Sequence, residues 1–440
     1  MKTYVFEIFS GLKISENYSF LRESQWYDDS HFTQLKLEKL KQLISHCYNN
    51  VPFYRDYMLR NSISIDDIRS INDIKVFPIV TKEIIKENYL DFIPKNINNI
   101  SGVNKSMTGG TTGNLLLKRN DLRTRTIVWA SYMRFLTDFI GIPYNSPKLI
   151  LMGGHVLDHS FLGTIKTKII NYLLNQHSFN IYDNGEENVR NIINSLQTYN
   201  YKYIRSYTQF LYNFALDLRK LGLSFDITTI STTAEPLMNQ HRILFKEVFN
   251  ADSFDQYGCG EIGGIAYECS AHSGMHVTEE HVILETIENN ELLITDLDNY
   301  SMPFIRYHNG DQAIMESAPC QCGRKSSRIT SLLGRTCDYI IGANGKLLHW
   351  AYFWHLFFDS SIGKERNLRK FQVLQDSPNS IVIKLVCDNP KKEELDFLNK
   401  DLFNRLGSDM KIFYEICEDI PVKPGSKYRP VINLLLTANK

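Results

Sequence analysis

SMTGGTTGNLLLKR, residues 106–119, packs three threonines and three glycines into Thr108, Gly109, Gly110, Thr111, Thr112 and Gly113, then turns apolar and ends on a basic pair. Glycines let a backbone bend sharply and approach a ligand closely. Successive N–H groups in such a bend form an anion-binding concavity, and threonine hydroxyls add donors. A phosphate cradle is one reading of the stretch. A plain glycine-rich turn is the other, and the rest of the chain must decide between them.

The chain has 440 residues, 43% of them hydrophobic and 12% aromatic, which is enough for a full core and too much for disorder. That length fits one large domain with a smaller companion. Lysine plus arginine and aspartate plus glutamate both number 49, so no global field draws the protein to nucleic acid or to an anionic membrane. No window is apolar enough for a membrane span, and Glu7 interrupts the first apolar run before it could serve as a signal peptide. Eight cysteines in a chain of this length fit a reducing compartment, so a soluble, cytoplasmic protein is expected.

Residues 31–49 carry Leu37, Leu40, Ile44 and Cys47 at helical spacing, and Asn50-Val51-Pro52 ends the run. From about 148 to 300, short apolar runs such as KLILMGG (148–154) alternate with helical patterns such as FLYNFALDLRKLG (210–222). This rhythm predicts an α/β sheet covered by helices. After GRTCDYI (334–340) the order becomes strand, strand, helix, strand, which predicts a small α+β domain. The expected division is residues 1–335 and 336–440.

Four further stretches can carry chemistry. DQYGCGEIGG (255–264) offers Tyr257 to stack on a purine and Glu261 to share a Mg²⁺ with phosphate oxygens, although a tight turn with a solvated acid fits it too. In MPFIRYHNGDQA (302–313), Asp311 follows Gly310, where its carboxylate could take two sugar hydroxyls; Asn309-Gly310-Asp311 also reads as a hairpin turn. STTAEPL (231–237) closes a strand-like run and is either a base-edge contact or a loop. KPGSKYRPV (423–431) places a lysine on a Gly/Pro-rich loop, where a solvated surface charge is the ordinary outcome.

In order and spacing these stretches resemble the adenylate-forming enzymes. Thr108–Gly113, Tyr257-Gly-Cys-Gly-Glu261, Arg306–Asp311, Gly334-Arg-Thr-Cys-Asp338 and Gly425-Ser-Lys427 carry the likeness. SQWYD (24–28), NNVPFYRDY (49–57) and FPIVTKEIIKEN (77–88) extend it over nearly the whole chain, toward the branch of phenylacetate–CoA ligases and the CapK-like proteins of polysaccharide biosynthesis. The resemblance implies a large α/β N-terminal adenylation domain and a small mobile α+β lid. It implies that residues 108–113 hold the phosphates of ATP. Ala234, Glu235 and Pro236 would line the adenine pocket, with Tyr257 and Gly258 beside the ring, Glu261 working with Mg²⁺ and Asp311 on the ribose. Arg335 and Asp338 would flank the hinge and Lys427 would reach in during adenylation.

Three stretches depart from the family pattern. Gly109 stands where a hydroxyl residue is usual, with Leu115 where proline is common. Cys337 occupies the usual acidic hinge position, leaving Asp338 to serve alone. The lysine motif reads Gly-Ser-Lys, with Lys423 as the alternative to Lys427.

Cys269, Cys320 and Cys322 with a histidine can make a tetrahedral structural zinc site, and buried reduced thiols are the competing reading. Spacing alone favours His272 as the fourth ligand. The family pattern implies His276 instead.

The implied activity is ATP-dependent formation of an acyl-adenylate. The acyl group would then pass to an amine, amino acid or sugar acceptor in surface polysaccharide synthesis, or alternatively to CoA. No carrier domain is expected on the chain. A degenerate nucleotide-binding subunit is a third reading, motivated by Cys337 and Gly-Ser-Lys. His155 and the aromatic residues of 124–135 and 205–210 could face the acid or simply pack helices.

Overall fold

The computed structural model describes residues 2–108, 116–153, 161–181, 186–335, 339–358, 360–421 and 428–437. The glycine–threonine loop 109–113, His155, Cys337, Asp338, Lys423 and Lys427 lie outside the described residues.

The helix Asp29–Asn50 starts where Asp28 accepts backbone N–H bonds from Ser30 and His31, and it stops before Pro52, which opens the next helix. The flanks of the phosphate-loop candidate form an antiparallel hairpin. Strand β1 (Asn104–Thr108) pairs with β2 (Leu116–Asn120), Thr108 opposite Leu116.

The large sheet has eleven strands among the described residues. Its first five are parallel: β3 (Lys148–Met152), β4 (Gln176–Asn180), β5 (Tyr203–Tyr207), β6 (Thr229–Thr233) and β7 (Asp252–Tyr257), in spatial order 4-3-5-6-7. Strand β3 is buried almost throughout, as expected for an apolar run covered on both faces.

At β7 the sheet turns antiparallel through β8 (Ala266–Glu268), β9 (Met275–Val277), β10 (Val282–Thr286), β11 (Glu291–Asp296), β12 (Tyr307–Glu316) and β13 (Arg328–Arg335). The helices Thr208–Lys220 and Asn239–Phe249 lie in the core on one face of the parallel half, and Leu122–Arg134 packs with Tyr203 and Phe254 of the other.

A hairpin of β14 (Tyr339–Ile341) and β15 (Leu347–His349) leads into a second sheet. It contains β16 (Lys370–Ser377), β17 (Ser380–Val386), β18 (Lys411–Ile416) and β19 (Val431–Asn433) in the order 18-17-16-19, and its helix is Lys392–Leu406. The strand–strand–helix–strand order is the one the sequence predicts.

The two parts share one apolar core. The helix Trp350–Phe358 packs its rings against the sheet's helices: Trp354 meets His241 at 5.1 Å and Phe358 meets Tyr212 at 5.8 Å between ring centroids.

Candidate active site

The carboxyl ends of β6 and β7, β12 and the residues before β19 surround a mainly apolar cavity. Ligands of open α/β sheets bind outside the carboxyl ends of the strands, so this is the expected place for a small-molecule site.

At the end of β6 the chain turns through Ala234, whose φ of +74° is in the left-handed region. The turn holds Glu235 against the start of the helix Thr208–Lys220. Its carboxylate accepts the Gln209 backbone N–H at 2.8 Å and its carbonyl accepts the Thr208 hydroxyl at 2.8 Å. A carboxylate there satisfies a helix donor and complements the helix dipole. Ala234, Glu235 and Pro236 all line the cavity.

Tyr257 ends β7, is buried, and donates its hydroxyl to Asp311 at 2.8 Å. Asn309 donates to both, at 2.9 Å to the Tyr257 oxygen and 2.7 Å to the same Asp311 carboxylate oxygen. Burial, with Asp311 close by, pushes the Tyr257 phenol well above its ordinary value. Tyr257, Gly258 and Asp311 share the cavity wall with the adenine-pocket turn.

The turn reading of Asn309-Gly310-Asp311 is corrected here. These residues lie inside β12, where the pairing with β11 slips between His308 opposite Leu293 and Gln312 opposite Glu291. The slip is a bulge, and Gly310 supplies its φ of +82°. Arg335 closes β13 directly opposite Asp311.

Glu261 is buried beside two lysines: Lys82 Nζ stands 3.8 Å from its carboxylate and Lys118 Nζ donates to its carbonyl at 3.3 Å. Lys118 belongs to β2, so the stem of the glycine–threonine loop and Glu261 are neighbours. Burial lowers the Lys118 pKa and, with Glu261 near, pushes the Cys259 thiol up to about 12. Lys82 escaped the sequence reading. Its one local signal is its place at the start of the helix Lys82–Glu87, capped by Thr81, which also describes an ordinary surface lysine. Lys118 was visible only as half of the basic pair behind the loop.

Behind this group, His281 anchors the glycine turn after Glu261. Its Nε2 bonds the Gly263 carbonyl at 3.1 Å and its Nδ1 bonds Asp298 at 3.0 Å. Both acceptors lack a proton, so both ring nitrogens donate and the imidazole is cationic. Burial works against that charge, but Asp296 and Asp298 hold the His281 pKa above its ordinary value.

The small domain closes the other side. Tyr428, Arg429 and Pro430 line the cavity, and Tyr428 bonds Phe371 through backbone N–H and carbonyl alike.

The second cluster sits near β9 and β13. The ligating atoms of Cys269, His276, Cys320 and Cys322 all lie within 4.8 Å of one another. Cys269 and Cys320 sulfurs are 3.8 Å apart, and Cys322 Sγ is 3.3 Å from His276 Nε2. Zinc–sulfur bonds of about 2.3 Å and zinc–nitrogen bonds of about 2.0 Å give tetrahedral edges near those lengths. His276 turns its other nitrogen, Nδ1, to the Ser326 hydroxyl at 2.9 Å, the outer contact that orients a metal-binding imidazole. Burial and three arginines, Arg324, Arg328 and Arg134, lower its pKa to about 3, which keeps Nε2 unprotonated. Burial alone would raise the Cys320 thiol, but its hydrogen-bond partners, Ser273 first, bring it down to about 7. The donor set fits zinc. His272 faces elsewhere: it pairs with Glu268 at 3.1 Å and Asp252 at 3.3 Å.

Comparison with known proteins gives concordant results. Residues 340–434 match the CapK C-terminal domain family. The chain is 24% identical to protein CapK of Staphylococcus aureus over 91% of its own length and 89% of that protein's. It is 24% identical to the phenylacetate-coenzyme A ligase of Thermus thermophilus over 70% of this chain and 71% of that one. Among solved structures, a 2-hydroxyisobutyryl-CoA ligase in its postadenylation state superposes with a TM-score of 0.73 at 14% identity, covering 95% of this chain and 93% of the other. No helix among the described residues is long and apolar enough to cross a membrane.

Proposed function

From a chain with the fold of the adenylate-forming ligases and a CapK-type C-terminal domain, we propose an enzyme that activates a carboxylic acid with ATP. The activated acyl group then passes to an amine, amino acid or sugar acceptor in surface polysaccharide synthesis. The observation that carries the first step is the convergence of Ala234–Pro236, Tyr257 and Asp311 on one cavity whose far wall is the segment after Lys427.

In that step a carboxylate oxygen bonds to the α-phosphorus of ATP while the bond from that phosphorus to the bridging oxygen breaks, releasing pyrophosphate. Little covalent chemistry falls to the protein, so positioning and charge neutralisation make up most of the catalysis. The glycine–threonine loop, which follows β1 in the sequence, holds the departing phosphates. Tyr257 packs on the purine, and Asp311, oriented by the Tyr257 hydroxyl and Asn309, receives the ribose hydroxyls. Glu261 would hold Mg²⁺, which supplies charge neutralisation at the phosphates when bound. Lys427 offsets the charge that builds on the reacting oxygens. Arg335 and Asp338 flank the connection to the small domain. Cys269, His276, Cys320 and Cys322 would hold a zinc ion that ties the loops around β9 and β13 together; with four protein ligands it leaves no open position for catalysis.

The similarity to phenylacetate–CoA ligases supports CoA as the alternative acceptor. ATP–pyrophosphate exchange against a panel of aryl, fatty, hydroxy and amino acids tests the activation step. Exchange with one acid class, reduced at least about a hundredfold in Lys427→Ala, supports it. Silence across the panel with ATP binding intact overturns it in favour of the degenerate subunit. Adding CoA or amines to the active mixture then separates the two acceptors by the product formed.

A further inference from the structure

The sheet of the small domain ends on β18, which pairs with β17 alone among the described residues. Their register runs from Ser380 opposite Lys411 to Leu385 opposite Ile416 without a bulge, and KIFYEI contains neither proline nor glycine. Bulges, prolines and covering segments are the usual means of blunting an edge strand. The opposite edge is closed, since Asn433 of β19 donates to the Tyr339 carbonyl of β14 at 3.0 Å.

The ladder to β17 fixes which backbone groups β18 turns outward. The Lys411 N–H donates to the Asn379 carbonyl at 2.8 Å and the Cys417 N–H to the Leu385 carbonyl at 2.9 Å. Alternation then directs the backbone groups of Lys411, Phe413 and Glu415 toward β17, and those of Ile412 and Tyr414 to the free edge. Among the described residues these outward N–H and C=O groups have no partner.

The side chains alternate in step. Ile412 and Tyr414 pack against the apolar core, and the Tyr414 hydroxyl donates to Asn399 of the helix Lys392–Leu406 at 2.9 Å. Lys411, Phe413 and Glu415 share the other face and are exposed, Phe413 by 53%. Phe413 ends an apolar row across that face: its register neighbour is Val382, followed by Leu374 and Ile432.

Charge decides which partner fits. Lys411 and Glu415 stand two positions to either side of Phe413. A second copy of this strand, laid antiparallel with Phe413 opposite Phe413, sets Lys411 of each copy against Glu415 of the other. The outward groups of Ile412 then meet those of Tyr414, as hydrogen-bonded pairs of an antiparallel ladder do. The two phenyl rings meet at a close pair, with Cα atoms about 4.5 Å apart. A slip of two residues loses both ion pairs, and a parallel in-register approach sets like charges side by side. Glu415 also holds Lys384 at 3.3 Å, but its side chain is still 52% exposed, so a second cation can reach it.

We propose that β18 is an interaction surface for a second copy of this chain, closing a two-fold dimer in which the small sheets join edge to edge. The arrangement is isologous, so it ends at two copies and does not grow into a fibre. Its contact is small beside the roughly 1,200–2,000 Å² of standard interfaces, so the association depends on concentration. It is independent of the acid-activation reading.

The test is sedimentation velocity of the full chain from about 1 to about 200 μM, a range that spans micromolar dissociation constants. The unmodified chain should pass from monomer to dimer. Lys411→Glu and Glu415→Lys each set like charges opposite one another and should weaken self-association roughly tenfold or more. Both positions are on the surface, so the variants should fold, and far-ultraviolet circular dichroism checks this. An equimolar mixture of the two single variants restores both ion pairs across the contact and should dimerise again, as should the double variant by itself. A monomer at every concentration, a dimer that both single variants leave intact, or a mixture no tighter than its components would each overturn the proposal.

Discussion

Asp255 is a carboxyl in the cavity wall that the fold prefers uncharged. Burial first, and then the nearby Glu268, raise its pKa to about 7, against the opposing bonds from the Leu237 and Gln256 backbone N–H groups. A raised carboxyl pKa favours the protonated native state, so its contribution is complete below the unfolded value near 3.8 and is lost as pH climbs through about 7. Asp255→Asn fixes the neutral form. Thermal unfolding of the two proteins between about pH 5 and about pH 8 should show the aspartate chain falling behind the variant as pH rises; parallel curves would reject the assignment. The same scale shows what single residues conceal in a sequence. Glu235 stands in a motif attributed to nucleotide binding, yet its carboxylate is spent on the Gln209 N–H. Spacing alone favours His272 as a ligand and the family pattern implies His276, and the fold ties His272 to Glu268 and Asp252.

Among the elements, the knot around β9 and β13 has the clearest consequence. β9 pairs with β13 through His276 opposite Arg328, and the two cysteines of C-x-C lie on the loop leading into β13. Cys322→Ser removes one donor of four. We expect purified protein to drop from one zinc per chain to substoichiometric metal by emission spectroscopy, with a lower unfolding temperature, and chelator to bring the unmodified chain to the same temperature. If the unmodified chain carries no zinc, the cluster is a set of reduced thiols.

The strands and helices of the parallel half were readable from their periodicity, because each depends on neighbours in sequence. The bulge of β12 was not. Asn-Gly-Asp is a turn signal locally, and only pairing with β11 and β13 makes it a strand interior. Lys82 was invisible for the same reason, being more than a hundred residues from the glutamate it approaches.

At the scale of the whole molecule, the change of texture after residue 335 is visible in the sequence, but the aromatic contact across it is not. The helix WAYFWHLFF follows residue 335, yet its Trp354 and Phe358 pack on His241 and Tyr212, which precede it. Buried aromatic-to-alanine changes cost about 3–5 kcal/mol. Trp354→Ala should therefore lower the urea midpoint for the whole chain and weaken nucleotide affinity, since Trp354 also borders the cavity. A variant in which only the small part unfolds early would show that the two halves are thermodynamically independent.

That shared seam also limits how the molecule can be recombined. Because one core runs from Phe245 and Tyr212 through Phe358 to Phe371, neither half carries a finished outer surface. A chimera that takes its last hundred or so residues from a relative would inherit mismatched rings where these meet. To make an exchangeable module, a protein engineer would cut along the faces of the helices Thr208–Lys220 and Asn239–Phe249, carrying those positions with the C-terminal segment, rather than after residue 335.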